Sequence, residues 1–159
     1  MVRLVQRYPD AKIIYTNSAA ALDQASPYGF SKWAAGEYLK KFHKNYVICT
    51  LPNIYGEGSR SVVDKFKRKG TLTIYGDGKQ TRDYVHVYDI VDGLAIAQNW
   101  PTGEYQMGSG IATSVLDLAK GRQVWHEVAR REARESVLIN NTPNWKHKIQ
   151  VAHYLKIYE

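Results

Sequence analysis

Short apolar runs rich in β-branched residues alternate along this chain with stretches whose apolar residues recur at helical spacing. Lys12 to Thr16 predicts a strand, and Ser26 to about His43 a helix with Pro27 near its start, where the missing amide costs nothing. Tyr46 to Leu51 predicts a second strand that runs into a loop at Pro52-Asn53-Ile54-Tyr55-Gly56. A basic helix follows from about Ser61 to Lys69, then a strand from Leu72 to Tyr75 and a tight turn at Gly76-Asp77-Gly78. Tyr84 to Val87 predicts another short strand. Asp89 then opens a helix whose Ile90, Leu94 and Ala97 share one face. Glu104 to Met107 predicts a strand, and Thr113 caps a short helix through Lys120. Strands alternating with helices imply an α/β fold with a mostly parallel sheet.

Composition narrows the class. With 159 residues, 44% of them hydrophobic, the chain has one domain's mass and enough apolar surface for a substantial core. The single Cys49 excludes an intramolecular disulfide, and its apolar flanks predict a small buried hydrophobe in a reducing, cytoplasmic setting. Met1 to Arg7 lacks the apolar core of a signal peptide, and no apolar run approaches the roughly 20 residues of a membrane span. Neither export nor membrane insertion is expected.

The formal charge of +7 gathers at Lys40-Lys41-Phe42-His43-Lys44, Lys65-Phe66-Lys67-Arg68-Lys69, Arg130-Arg131 and Lys146-His147-Lys148. Such clusters are most simply solvated helix faces. Phosphates of a nucleic acid or of a nucleotide diphosphate are the other partners they fit, and no nucleic-acid motif accompanies them.

One spacing carries chemistry. Tyr28 and Lys32 lie four residues apart at the start of the predicted helix, ten residues after Ser18 in a Tyr-Thr-Asn-Ser stretch. A phenol with a pKa of about 10 is a poor base at neutral pH unless a cation stabilises its anion. Lys32, one turn on, supplies that cation. Ser18, on a nearby strand, can hold an alcohol in line with the Tyr28 oxygen, which describes alcohol-to-ketone chemistry with a hydride acceptor. The same spacing at Tyr8/Lys12 and Tyr75/Lys79 is interrupted by Pro9 and by Gly76-Asp77-Gly78, so only Tyr28/Lys32 falls on a regular helix.

Four segments in order carry a family resemblance: Ile14-Tyr15-Thr16-Asn17-Ser18-Ala19-Ala20, Ser26-Pro27-Tyr28-Gly29-Phe30-Ser31-Lys32, Leu51-Pro52-Asn53-Ile54-Tyr55-Gly56, and Ile74 through Ile90 with its Gln80-Thr81-Arg82-Asp83-Tyr84-Val85-His86 centre. Together they resemble the extended short-chain dehydrogenase/reductases, specifically the nucleotide-sugar epimerase/dehydratase family and its UDP-glucose/galactose 4-epimerases. Weaker echoes extend to Tyr105-Gln106-Met107-Gly108-Ser109-Gly110 and Asn144 to Ile149. The resemblance implies the C-terminal portion of a Rossmann-like doubly wound parallel sheet, from residues 1–57 and 83–103, plus a small α/β substrate-binding subdomain from 58–82 and 104–159.

It also implies roles. Ser18, Tyr28 and Lys32 match the catalytic residues, with Tyr28, Lys32 and Pro52 against the cofactor and Lys32 placed for the nicotinamide ribose. Asn53, Arg82 and Arg131 match residues that hold the nucleotide diphosphate, a task suited to a guanidinium fork. At the last of these, Ala133 and Arg134 replace the family's Gly and Asp. Asp83 is expected to orient Arg82 or the local backbone. The implied cofactor is NAD or NADP, and the implied ligand a nucleotide-diphosphate sugar. Dehydratases and decarboxylases carry an acid near the catalytic Ser/Thr, where this chain has Ala19-Ala20-Ala21, so epimerisation by oxidation and re-reduction at a ring carbon is the expected reaction. A nucleotide-sugar reductase is the alternative within this chemistry, and a basic binding module or remnant the alternative outside it.

The departures matter as much. The family's opening strand and glycine-rich pyrophosphate turn have no counterpart here, and the loop between Ser18 and Tyr28 is short. A fragment of a longer product is the expectation, with a separate chain supplying the missing half or an inactive remnant as its competitors, and pairing into a homodimer through the Tyr28 helix left open. Such a fragment is expected to bind NAD poorly.

Overall fold

The computed structural model describes residues 1–69, 71–119, 123–127 and 135–156. Along the chain these form α1 (Val2–Arg7), β1 (Ile13–Ser18), α2 (Ala20–Asp23), α3 (Pro27–Phe42), β2 (Tyr46–Leu51), β3 (Asn53–Tyr55), α4 (Val62–Lys69) and β4 (Thr71–Tyr75). There follow β5 (Thr81–Arg82), β6 (Tyr84–His86), α5 (Val87–Ala97), β7 (Gly103–Gln106), β8 (Thr113–Ser114), α6 (Val115–Leu118), β9 (Gln123–Glu127) and α7 (Val151–Lys156). The main sheet runs β1-β2-β7, all parallel. Three two-stranded pairs surround it: β3 with β6 and β4 with β9 are parallel, while β5 and β8 are antiparallel.

Strand β2 is apolar almost throughout because both its faces are covered, as parallel strands require. Val47, Cys49 and Leu51 point into a cluster with Val85, Ile90, Ala97, Trp100, Met107 and Trp145, largely from α5 and the segment after it. Ile48 points the other way, to Val5 of α1 and Leu39 of α3. Helices on both faces make the sheet doubly wound. Cys49 is fully buried as expected, and burial pushes its thiol up to about 11. A second cluster joins Tyr55, Val63, Phe66, Ile74, Tyr84, Leu118, Tyr154 and Leu155, tying α4, α6 and α7 to the outer strand pairs.

On β1, the amides of Ile13 and Ala19 flank the ladder and reach Asn45 and Leu51 carbonyls on the β2 side. Alternation then turns the backbone groups of Ile14, Thr16 and Ser18 to the other side, where β1 has no neighbour strand among the described residues. This is an open edge.

Three boundaries differ from the sequence pattern. The stretch after Pro52 is a strand, β3, because β6 pairs with it from 30 residues away, a partner that local turn chemistry cannot reveal. Helix α5 begins at Val87, its amide ladder opened by His86 Nδ1, which accepts from the Tyr88 amide at 3.2 Å. Asp89 is instead buried and accepts from the Lys148 and Ile149 amides, both at 2.9 Å, which pins the C-terminal segment against α5. Ser114, not Thr113, caps α6 in a reciprocal box with Asp117, because Thr113 is spent pairing with Arg82 in the β5–β8 ladder. Helix α6 ends at Leu118, and Lys120 lies outside the described residues.

Asp64 holds the entry to α4. It accepts hydrogen bonds from the Gly56 amide and from the Ser59, Ser61 and Tyr154 hydroxyls. Burial pushes its carboxyl up, but these donors outweigh burial and leave it below its ordinary value.

Phe66, fully buried in the second cluster, is expected to cost about 3–5 kcal/mol when replaced by Ala, read as a drop in the denaturant midpoint. His86 gives a pH dependence. Burial holds its imidazole below the usual histidine value, against the raising effect of Asp89 and Asp64. The unfolded chain therefore binds the proton first as pH falls below about 6.5, and stability declines through that window until the folded imidazole is protonated as well. Thermal unfolding at neutral and mildly acidic pH should show this loss in the native chain and a smaller one in His86→Asn.

Candidate active site

Strand β1 delivers Ser18 at its C-terminal end, β2 delivers Pro52 just past its own, and β3 and β5 carry Asn53 and Arg82. These four line one cavity of about 860 Å³, outside the C-terminal ends of parallel strands where ligands of open α/β sheets bind. Ser18 Oγ accepts from the Ala20 amide at 3.3 Å, which leaves its proton for another acceptor. Asn53 is doubly held by the Asp83 carbonyl, through its amide at 3.0 Å and its Nδ2 at 3.3 Å. Arg82 anchors one guanidinium nitrogen on the Thr81 carbonyl at 2.8 Å.

Helix α3 starts at the same cavity. Ser26 caps it by accepting from the Gly29 amide at 3.0 Å, and Ser26 and Pro27 line the wall. A Cβ on Gly29 would stand 2.2 Å from the Ala20 carbonyl oxygen, so only glycine lets α3 approach the turn after Ser18 this closely. Tyr28 is 58% exposed on the first turn. Lys32 donates to the Thr16 carbonyl on the open β1 edge at 2.5 Å, and its ammonium lies 4.7 Å from the centre of the Tyr15 ring. Tyr15 in turn donates to the Lys32 carbonyl at 3.1 Å, and burial, then the nearby Tyr28, push its phenol above the ordinary value. The structure thus gathers Ser18, Pro52, Asn53 and Arg82 in the cavity and sets Tyr28 and Lys32 beside it on α3. Neither of those two side chains bonds the other among the described residues. Arg131 lies outside the described residues.

Asp83 organises the far wall. It is fully buried, and its carboxylate accepts from the Ser109 amide at 2.9 Å, the Ser109 hydroxyl and the Leu138 amide at 3.3 Å. Its own amide donates to the Ser136 carbonyl at 3.0 Å. Burial raises its carboxyl above the usual range, with the Ser109, Leu138 and Gly110 donors pulling the other way. Gly108 lets the two segments meet, since a Cβ there would fall 2.2 Å from the Leu138 carbonyl oxygen. The expected backbone role for Asp83 is what the geometry displays.

Sequence reasoning missed three contributors. Ser136 to Leu138 form a cavity wall through the bridge from Ser136 to Arg82, a stretch that carries no motif. Glu135 comes with it. Asp23 also lines the cavity, at the end of α2, because left-handed Gln24 (φ 53°) turns the chain back there. An acid near Ser18 is therefore present after all, five residues along and beyond the three alanines.

The chain matches the NAD dependent epimerase/dehydratase family over residues 5–108. It belongs to that family. A provisionally named UDP-glucose 4-epimerase of Methanocaldococcus jannaschii is 30% identical over 146 residues, covering 74% of this chain and 48% of that protein. The UDP-glucose 4-epimerase of Mycolicibacterium smegmatis is 34% identical over 119 residues, 65% of this chain and 38% of the other. The chain thus spans about half the length, or less, of these curated relatives. Among solved structures, the Thermotoga maritima UDP-glucose 4-epimerase with UDP-glucose superposes with a TM-score of 0.85 at 23% identity, over 99% of this chain and 66% of the other. MoeE5 in complex with UDP-glucuronic acid and NAD gives 0.82 at 19% identity, over 97% and 65%. The fold of this family member is that of the Rossmann-type epimerases and dehydratases.

Replacing Asp83 by Ala strips the acceptor from the buried Ser109 and Leu138 amides and is expected to destabilise the fold by about 3 kcal/mol. Equilibrium unfolding measures it, and a loss below about 1 kcal/mol would show that the two segments hold without the carboxylate.

Proposed function

We propose that this chain supplies the catalytic and sugar-side part of an NAD-dependent nucleotide-sugar epimerase. The observation that supports it best is the convergence of Ser18, Asn53 and Arg82 on one cavity beside the helix that carries Tyr28 and Lys32. The names of the relatives favour epimerisation, and this now weighs more than the alanines after Ser18, given Asp23 in the lining.

Of a bound dinucleotide, the residues present fit the nicotinamide end only. Pro52, Tyr28 and Lys32 would meet it there, whereas this sequence contains no glycine-rich turn for the pyrophosphate, and β1 ends the described sheet with an open edge. When bound, the dinucleotide supplies the hydride acceptor. The chain's own residues do the rest. Tyr28 takes the proton from the sugar hydroxyl, Lys32 supplies a positive charge one turn away, and Ser18 orients the hydroxyl by hydrogen bonding. Arg82 and Asn53 hold the diphosphate, the guanidinium by paired charge-assisted bonds. Arg131 is assigned to the nucleotide on its motif alone. A further polypeptide, in cis or in trans, completes the phosphate site along β1. Exposed Val2, Leu4 and Tyr8 of the α1 region and Phe30 and Phe42 of α3 suit a second copy packed against these helices.

Calorimetry on these 159 residues alone should detect no NAD binding in the micromolar range. Detecting it would overturn the assignment of the phosphate site to another segment. With the glycine-rich half supplied, interconversion of a UDP-hexose pair should appear, and Tyr28→Phe should lower its rate by about 10²–10⁴. A reduced sugar in place of an epimer would identify a reductase instead.

A further inference from the structure

Resting on the nucleotide-sugar reading above, a deeper assignment follows from the charges that the fold places around the cavity. Its wall holds one cation, Arg82, and two carboxylates, Asp23 and Glu135. They are not equivalent in position. Arg82 and Asn53 sit on adjacent segments joined through Asp83, so the diphosphate of a nucleotide sugar consumes the positive end. The opposite wall is built by Ser18, the three alanines and Leu22 to Pro27, and its only charged member is Asp23.

One Asp23 carboxylate oxygen accepts from the Ala25 amide at 3.1 Å, and the left-handed Gln24 fixes the turn that aims this segment. The sugar, extending from the diphosphate towards Ser18, therefore meets an acid. Glu135, beside Ser136 on the Arg82 wall, adds a second negative charge to the same space. Hydroxyl and amine groups donate to carboxylates, whereas a sugar carboxylate would meet like charge on both sides with no basic side chain but Arg82 in the lining. Like charges facing one another across a binding site are a recognised device for rejecting a partner rather than for gripping one.

We propose that Asp23 and Glu135 make this cavity discriminate by sugar charge, accepting nucleotide sugars that are neutral or carry an amine and excluding nucleotide uronic acids. Asp23 is a specificity-determining residue in this scheme, and Glu135 reinforces it.

The test is competition calorimetry on the chain, complemented by the glycine-rich half where needed, with UDP, UDP-glucose and UDP-glucuronic acid as probes and dTDP as a second nucleotide control. Each sugar nucleotide's affinity is referred to that of UDP for the same variant, which cancels any general effect on the fold. UDP-glucose is expected to bind about tenfold or more tighter than UDP-glucuronic acid, a gap that narrows as ionic strength rises. In the double variant Asp23→Asn/Glu135→Gln the ratio should fall towards one, and Asp23→Asn alone should account for most of the fall. Equal binding of the two sugars to the native chain, or a ratio unmoved by the double variant, overturns the inference while the binding of UDP keeps the nucleotide-sugar reading intact. Failure of both UDP and dTDP to bind overturns that reading, and this inference with it.

Discussion

The buried carboxylate of Asp83 is the constraint on which the candidate site depends. A fully buried acid costs heavily unless donors surround it, and here the donors come from segments far apart in sequence, Ser109 after β7 and Leu138 in the 135–139 stretch. The same residue offers its backbone to Asn53 and Ser136. Removing it frees both walls of the cavity at once. Arg82, its neighbour, inherits its position from this arrangement, since the bridge from Arg82 to Ser136 runs parallel to the bonds that Asp83 makes. Asp64 does a comparable job on the outer side, where it gathers Gly56, Ser59, Ser61 and Tyr154 around the start of α4. Two acids, each spent on neutral donors, thus fasten the smaller strand pairs to the main sheet.

Much of this was legible in the residues, and the parts that were not share one cause. The strand at Tyr46–Leu51 announced itself because a parallel strand covered on both faces is apolar at successive positions, and α3 because Ser26-Pro27 is a start signal with a physical reason. Ser18, Asn53 and Arg82 could be named in advance because their motifs are local. What escaped was created by pairing across long separations: β3 exists through β6, and the wall at Ser136 through Arg82. Asp23 escaped for a different reason. It is an ordinary acid in a short helix, and only the left-handed residue after it turns it into the cavity. The pairing of Tyr28 with Lys32 was inferred from helical spacing alone, and spacing places two residues on one face without saying which neighbour the longer side chain chooses. Lys32 chooses the Thr16 carbonyl and the Tyr15 ring.

The surplus of positive charge turns out to be partly spent inside the fold. Lys40 pairs with Glu37 and Glu104, bracing α3 against β7, and Lys67 donates to the Tyr154 hydroxyl while lying 4.6 Å from the centre of its ring. Lys148 reaches Asp92 on α5. Such exposed pairs contribute little each, yet they show why runs of lysine in a sequence overstate the field available to a polyanion.

The edge position of Lys32 has a practical side. Strand β1 contains no proline and no charged residue, so its outward amides and carbonyls form an inviting template for intermolecular strand pairing, and the ammonium seated on Thr16 is the one cation bonded to that rim among the described residues. Lys32 is thereby a gatekeeper against clumping as well as a candidate participant in chemistry. Neutralising it removes both roles together, so an inactive Lys32 variant speaks to mechanism only when light scattering shows that the sample has stayed dispersed.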